Sequence, residues 1–186
     1  MTLCLPGKLA LVGLRGAGKT SVGRALSETL GLSFVDLDDR IAAAAGCAHA
    51  GEVIASRGLP AFRQLEREHL RATLAEPRRL VLSTGGGAIE DPSSRELLRT
   101  AAVTIWLRAP LGVLRARVAG DENERAAAGV PLRPAVVPAD DSGMDEFEVL
   151  LERRAPLYRA ACRRAVDVEG LTPGEIARRI ERIWRG

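Results

Sequence analysis

Short apolar runs alternate with longer stretches of helical period along the chain, and this alternation predicts strands separated by helices. Lys8-Leu9-Ala10-Leu11-Val12 has the length of a buried strand, and Val22, Ala25, Leu26, Thr29 and Leu30 follow at helical spacing, with Gly31 placed as a C-terminal cap. Ser33 to Asp36 reads as a second strand. Helices are expected over about Asp39–Ala45 and Glu52–Ser56, and Pro60 opens a longer one whose apolar stripe is Phe62, Leu65, His69, Leu70 and Leu74. Leu80 to Ser83 is the third strand and Ala102 to Leu107 the fourth. Between and after them, helices are expected around Ser94–Thr100, Leu111–Val118 and Met144–Arg159. A short fifth strand near Ala165–Val168 precedes a closing helix that starts at Pro173, with Thr172 as its N-cap, and runs to Trp184. Such an order predicts an α/β domain with a parallel sheet covered on both faces.

The stretch from Gly120 to Asp141 breaks the rhythm with mixed charges, alanines, Gly129 and three prolines. It is expected to be a functional segment, part of it helical. The domain plan is then one unit, 1–186, with a core of 8–37, 78–119 and 144–186, helices over 38–77 and an inserted segment over 120–141.

Residues Gly13 to Thr20 read Gly-Leu-Arg-Gly-Ala-Gly-Lys-Thr and satisfy GxxxxGK[ST] at every fixed position. The pattern sits between a strand and a helix, where its chemistry requires it to be. Gly13, Gly16 and Gly18 let consecutive N–H groups converge on a phosphate, Lys19 reaches the β and γ phosphates, and the Thr20 hydroxyl ligates Mg²⁺. Ala17 and Ser21 share the loop and the first helical turn and are counted with the nucleotide contacts. Lys8 and Lys19 are the only lysines among 27 basic residues, so an arginine-rich chain keeps lysine in this loop, where a slim point charge must lie along a phosphate chain.

Composition narrows the function classes. The 186 residues are 46% hydrophobic and 27% charged, the range of one globular domain. A formal charge of +3 could suggest nucleic acid, but aromatics are only 3% and the arginines lie beside glutamates, so no nucleic-acid partner is expected. Cys4, Cys47 and Cys162 lack metal-ligand spacing, and no apolar run reaches the length of a membrane span. With no signal-peptide pattern either, a cytoplasmic protein with no membrane partner is expected.

In an open parallel sheet, ligands bind beyond the carboxyl ends of the strands. The phosphate loop, the aspartates Asp36 and Asp38, and the triplet Gly85-Gly86-Gly87 all fall there. Together with Phe62-Arg63 and Glu66, Arg133-Pro134 and Arg154-Ala155-Pro156-Leu157-Tyr158, in this order, the chain resembles the shikimate kinases over nearly its whole length.

The resemblance implies a P-loop kinase fold, a five-stranded parallel sheet of order 2-3-1-4-5 with a mobile lid, and transfer of the ATP γ-phosphoryl group to the 3-hydroxyl of shikimate in aromatic amino acid biosynthesis. Thr20 and Asp36 would hold Mg²⁺, and Lys19, Asp38 and Arg133 would be catalytic, with Asp38 as base toward the attacking hydroxyl. Arg63 and Arg154 would clamp the substrate carboxylate, Glu66 would orient Arg63, and Gly85, Gly86 and Gly87 would admit the ring. Arg117 and Pro173 would enclose adenine, and Arg133 would close over the phosphates. A monomer is the default. Three departures stand out: Gly58-Leu59 where the family has Gly-Glu, Ala135-Val136-Val137 after Arg133-Pro134 in place of leucines, and Leu171 where some members have a basic residue. A ligand-sensing domain of an aromatic-catabolism regulator and a kinase of another small hydroxy acid such as gluconate are the alternatives. The short stretch before Lys8 leaves little room for a DNA-binding domain, which favours the enzyme.

Overall fold

The computed structural model describes residues 7–127 and 145–185. Arg133, the lid from 128 onward and Met144 therefore lie outside the described residues. Five strands form one parallel sheet in the order β2-β3-β1-β4-β5, comprising β1 (Lys8–Val12), β2 (Ser33–Asp36), β3 (Leu80–Ser83), β4 (Val103–Arg108) and β5 (Arg164–Asp167). All five residues of β1 and all four of β3 are buried, which requires cover on both faces and explains why neither run alternates with polar residues. The edge strands β2 and β5 are only partly buried.

The helices are α1 (Lys19–Leu30), α2 (Leu37–Ala44), α3 (Ala50–Ala75), α4 (Pro92–Ala101), α5 (Leu111–Ala127), α6 (Glu146–Ala161) and α7 (Pro173–Arg185). Helix α1 packs on α7, and α4 packs on α6. Each start has a local cause. Asp91 caps α4 by accepting from Ser94 N–H at 2.9 Å, and Asp145 and Glu148 cap α6 reciprocally. Thr172 caps α7 through Glu175 N–H at 3.3 Å, as its position before Pro173 predicts.

Several boundaries differ from expectation, and the reasons are physical. Helix α2 begins at Leu37 rather than Asp39 because the Asp36 side chain accepts from Asp38 N–H at 3.1 Å and starts the turn early. The two expected pieces of α3 are both present and meet at Gly58, whose φ of 80° and ψ of 158° break the helix just before Pro60. On its inner stripe Phe62, Leu70 and Leu74 are buried, whereas Leu65 and His69 are half-buried and Glu66 and Thr73 take the buried places. Helix α5 continues to Ala127, so residues 120–127, expected to open the lid, are helical. Between Gly85 and α4 the chain also makes a 3₁₀ turn, Ala88–Glu90, that the apolar pattern does not announce.

Candidate active site

The phosphate loop connects β1 to α1 with Gly13, Gly16 and Gly18 at positive φ, of which Gly16 at 80° and Gly18 at 84° are left-handed conformations that a side chain would strain. A Cβ on Gly16 would also lie 2.7 Å from Leu114 O, so the loop is clamped against α5. Helix α1 has neither a side-chain cap nor an acidic residue in its first turn. Its N-terminal N–H groups and dipole are thus directed at the loop, a favourable place for an anion. Lys19 Nζ donates to Gly13 O at 2.9 Å and Leu14 O at 3.0 Å, which draws the ammonium across the loop.

Beside it, Thr20 Oγ1 donates to Asp36 Oδ2 at 2.7 Å. The other oxygen of Asp36 is engaged by Asp38 N–H, so one residue both ends β2 and fixes where Asp38 emerges. Asp36 and Asp38 therefore separate, one toward the loop and the other toward a cleft. On the far side of the loop, Arg117 donates to Gly16 O and Val168 O at 3.3 Å each, and Pro173 is exposed at the start of α7.

A cleft of about 220 Å³ opens next to the loop, and all seven residues expected at the substrate line it: Asp38, Arg63, Glu66, Gly85, Gly86, Gly87 and Arg154. They come from α2, α3, the turn after β3, and α6. The glycines are steric requirements of this convergence. A Cβ on Gly85 would lie 2.3 Å from Glu66 Oε1 and 2.9 Å from Asp38 Oδ1, and one on Gly87 would lie 2.1 Å from Arg63 Nη2. Two carboxylates and a guanidinium are thus laid directly against bare backbone.

The charges are cross-linked. Arg63 Nη1 donates to Glu66 Oε2 at 2.7 Å, and Arg63 Nη2 lies 3.7 Å from Glu90 Oε2. Arg154, 3% exposed, donates from Nε to Glu90 Oε1 at 3.0 Å. Glu66 is 2% exposed, and burial raises its carboxyl above the usual value despite Arg63 beside it. Glu66 Oε1 and Arg154 Nη2 are both buried without a hydrogen-bond partner among the described residues. Both atoms are enclosed, although their residues line the cleft, so the side chains that face it carry one buried acceptor and one buried donor with hydrogen-bonding capacity to spare. Beneath it, Tyr158, fully buried, donates to Gly86 O at 2.7 Å and stacks on Trp106 with centroids 5.3 Å apart.

Sequence reasoning missed two participants. Arg15, in a variable position of the phosphate loop, lines the cleft, pairs with Glu146 at 2.5 Å and lies over the Phe147 ring at 4.8 Å. Glu90 joins Arg63, Arg153 and Arg154. No motif points to either, because their partners are up to 131 positions away. Leu59, one of the departures, contributes to an apolar wall with Ile54, Phe62 and Leu150.

A model of the shikimate kinase family matches residues 15–184. The chain is 41% identical over 170 residues to the shikimate kinase of Caulobacter vibrioides (strain NA1000 / CB15N), covering 91% of this chain and 77% of that one. It is 38% identical over 159 residues to the shikimate kinase of Nitratidesulfovibrio vulgaris, covering 86% and 85%. Among solved structures, shikimate kinase from Acinetobacter baumannii in complex with shikimate superposes with a TM-score of 0.82 at 30% identity, covering 97% of this chain and 93% of that one. A gluconokinase from Sinorhizobium meliloti 1021, at 23% identity and a TM-score of 0.55, shares the fold. The chain belongs to the shikimate kinase family, ATP-dependent phosphotransferases on a P-loop kinase fold.

Proposed function

We propose that this chain transfers the γ-phosphoryl group of ATP to the 3-hydroxyl of shikimate, giving shikimate 3-phosphate and ADP in aromatic amino acid biosynthesis. The observation that carries the reading is the single cleft in which Asp38, Arg63, Glu66, the glycine triplet and Arg154 meet beside the phosphate loop. Phosphoryl transfer asks a protein chiefly for alignment and for neutralisation of charge on the transferred group.

In this reading the loop N–H groups cradle the phosphates, and Lys19 exchanges its two loop carbonyls for β and γ oxygens. The guanidinium groups of Arg63 and Arg154 receive the ring carboxylate in parallel hydrogen bonds. Glu66 holds Arg63 by its Nη1. Asp38 accepts the proton of the 3-hydroxyl as its oxygen forms the new bond to γ-phosphorus. The bond from that phosphorus to the β-phosphate oxygen breaks, and its electron pair leaves with ADP. The residues Thr20 and Asp36, hard oxygen donors 2.7 Å apart at the edge of the loop, fit Mg²⁺. When bound, the ion offsets charge on the phosphates. Arg117 and Pro173 flank the adenine, and Arg133 adds positive charge over the phosphates.

A monomer in the cytoplasm, one domain with a lid over 120–141, completes the proposal. Among the described residues no helix is long and apolar enough to cross a membrane. The test is a coupled ADP-release assay with MgATP and shikimate, quinate, gluconate or a nucleoside monophosphate. Release with shikimate far above the other three is expected; none above background with shikimate removes the reading.

A further inference from the structure

Glu90 closes the 3₁₀ turn that follows the glycine triplet. Its N–H donates to Gly87 O at 2.9 Å and its carbonyl accepts from Arg95 Nη1 at 2.9 Å, so both of its peptide groups are pinned. The carboxylate meets three guanidinium groups. Oε1 accepts from Arg154 Nε at 3.0 Å and from Arg153, while Oε2 lies 3.7 Å from Arg63 Nη2.

A guanidinium has five N–H donors in one rigid plane, so a carboxylate on its Nε side decides where the remaining donors point. Arg154 lines the cleft, and its Nη2 is buried without a hydrogen-bond partner among the described residues. Arg63 lies flat over Gly87 and is bracketed, with Glu66 on Nη1 and Glu90 facing Nη2. Both arginines therefore take their orientation from the same acidic residue.

We propose that Glu90 is a positioning residue of the acid-binding end, fixing the planes of Arg63 and Arg154 so that a substrate carboxylate meets both in one orientation. The inference rests on the shikimate reading above and deepens it. Glu90 touches neither hydroxyls nor phosphates in this arrangement; it acts through the two arginines. Burial pushes its carboxyl up, but Arg154 and Arg153 outweigh that and hold it below the ordinary value, so the charge that orients them persists at neutral pH.

The experiment compares the parent, Glu90→Gln and Glu90→Ala by calorimetric titration with shikimate and with its uncharged methyl ester, alongside ADP-release kinetics. Glu90→Gln is isosteric and the side chain is 26% exposed, so this variant keeps the test alive should the alanine variant fail to fold. The dissociation constant for shikimate should rise about tenfold in Glu90→Gln, the loss of one charge-assisted arrangement, with that for the ester and the KM for ATP little changed. A selective loss toward the acid supports the proposal. Equal changes for acid and ester, no change included, overturn it. Parent turnover of shikimate is measured first: its absence removes the underlying reading, whereas an active parent with non-discriminating variants overturns the role of Glu90 alone.

Discussion

The phosphate end of the site is made by eight consecutive residues, Gly13 to Thr20, and chiefly by main-chain N–H groups, whereas the acid end gathers side chains from segments spread between Asp38 and Arg154. Backbone groups recognise any phosphate tail, and the turn that aims them is encoded locally by glycine. Side chains from distant segments recognise one acid, and they hold their positions only through one another: Arg63 on Glu66, Arg154 on Glu90, Gly86 on Tyr158. The first end is robust and generic. The second is specific and depends on a network in which one error spreads.

Removing the charge at the generic end has the largest expected effect. Lys19→Ala should lower kcat at least about a hundredfold, because charge stabilisation is lost where it builds up in the transition state. Its KM for shikimate should change little, and steady-state kinetics separate the two. Next comes Gly87→Ala, which puts a methyl group 2.1 Å from Arg63 Nη2 and so displaces the guanidinium. Calorimetry should show shikimate binding weakened by more than about tenfold, with nucleotide binding retained, because the charge-assisted contact of the displaced guanidinium to the carboxylate is lost. If shikimate bound as in the parent, the close packing of the acid end would not matter to its function.

How far each end is legible in the sequence follows the same division. The loop, its flanking strand and helix, and β1, β2 and β3 stand where the apolar pattern puts them, because buried runs and glycine turns are local signals. The seven cleft residues were indicated by family resemblance, and the fold brings them to one place. Arg15 and Glu90 were not legible, since an arginine in a variable loop position and a glutamate after an apolar pair look like solvated charges until their partners arrive from α3 and α6. The last turns of α5 were hidden for a different reason. Beyond Val118 the sequence of that helix is rich in alanine and charge, and its described side chains are exposed or half-buried, so no apolar stripe marks it. The place of Glu66 on the buried stripe is likewise illegible, because apolar periodicity cannot register a polar residue that is buried against a guanidinium, which offsets its desolvation only in part.

Smaller effects sharpen the comparison within the acid end. Tyr158→Phe removes the hydroxyl that supports Gly86 O but keeps the ring on Trp106, and should cost about 1 kcal/mol of stability, read by urea unfolding. An unchanged midpoint would show that the triplet needs no support from α6. Smaller still is a pH effect at Glu66, whose folded carboxyl sits above its ordinary 4.5 because of burial. Below 4.5 both states are protonated and its contribution is fully present; as pH rises through the raised folded value, the unfolded state ionises more readily and that contribution is lost. Urea unfolding at about pH 4 and pH 8 should therefore show Glu66→Gln gaining relative to the parent at the higher pH. A constant difference between the two proteins would mean that Arg63 fully compensates the buried charge.

The two-ended site is tested most directly by the KM values of Arg63→Ala for shikimate and for ATP, measured under saturating concentrations of the other substrate. The account predicts a KM for shikimate raised at least about tenfold, with that for ATP close to the parent's, since a charge-assisted contact to the carboxylate is lost and the phosphate end is untouched. An unchanged KM for shikimate, or equal rises in both, would contradict it.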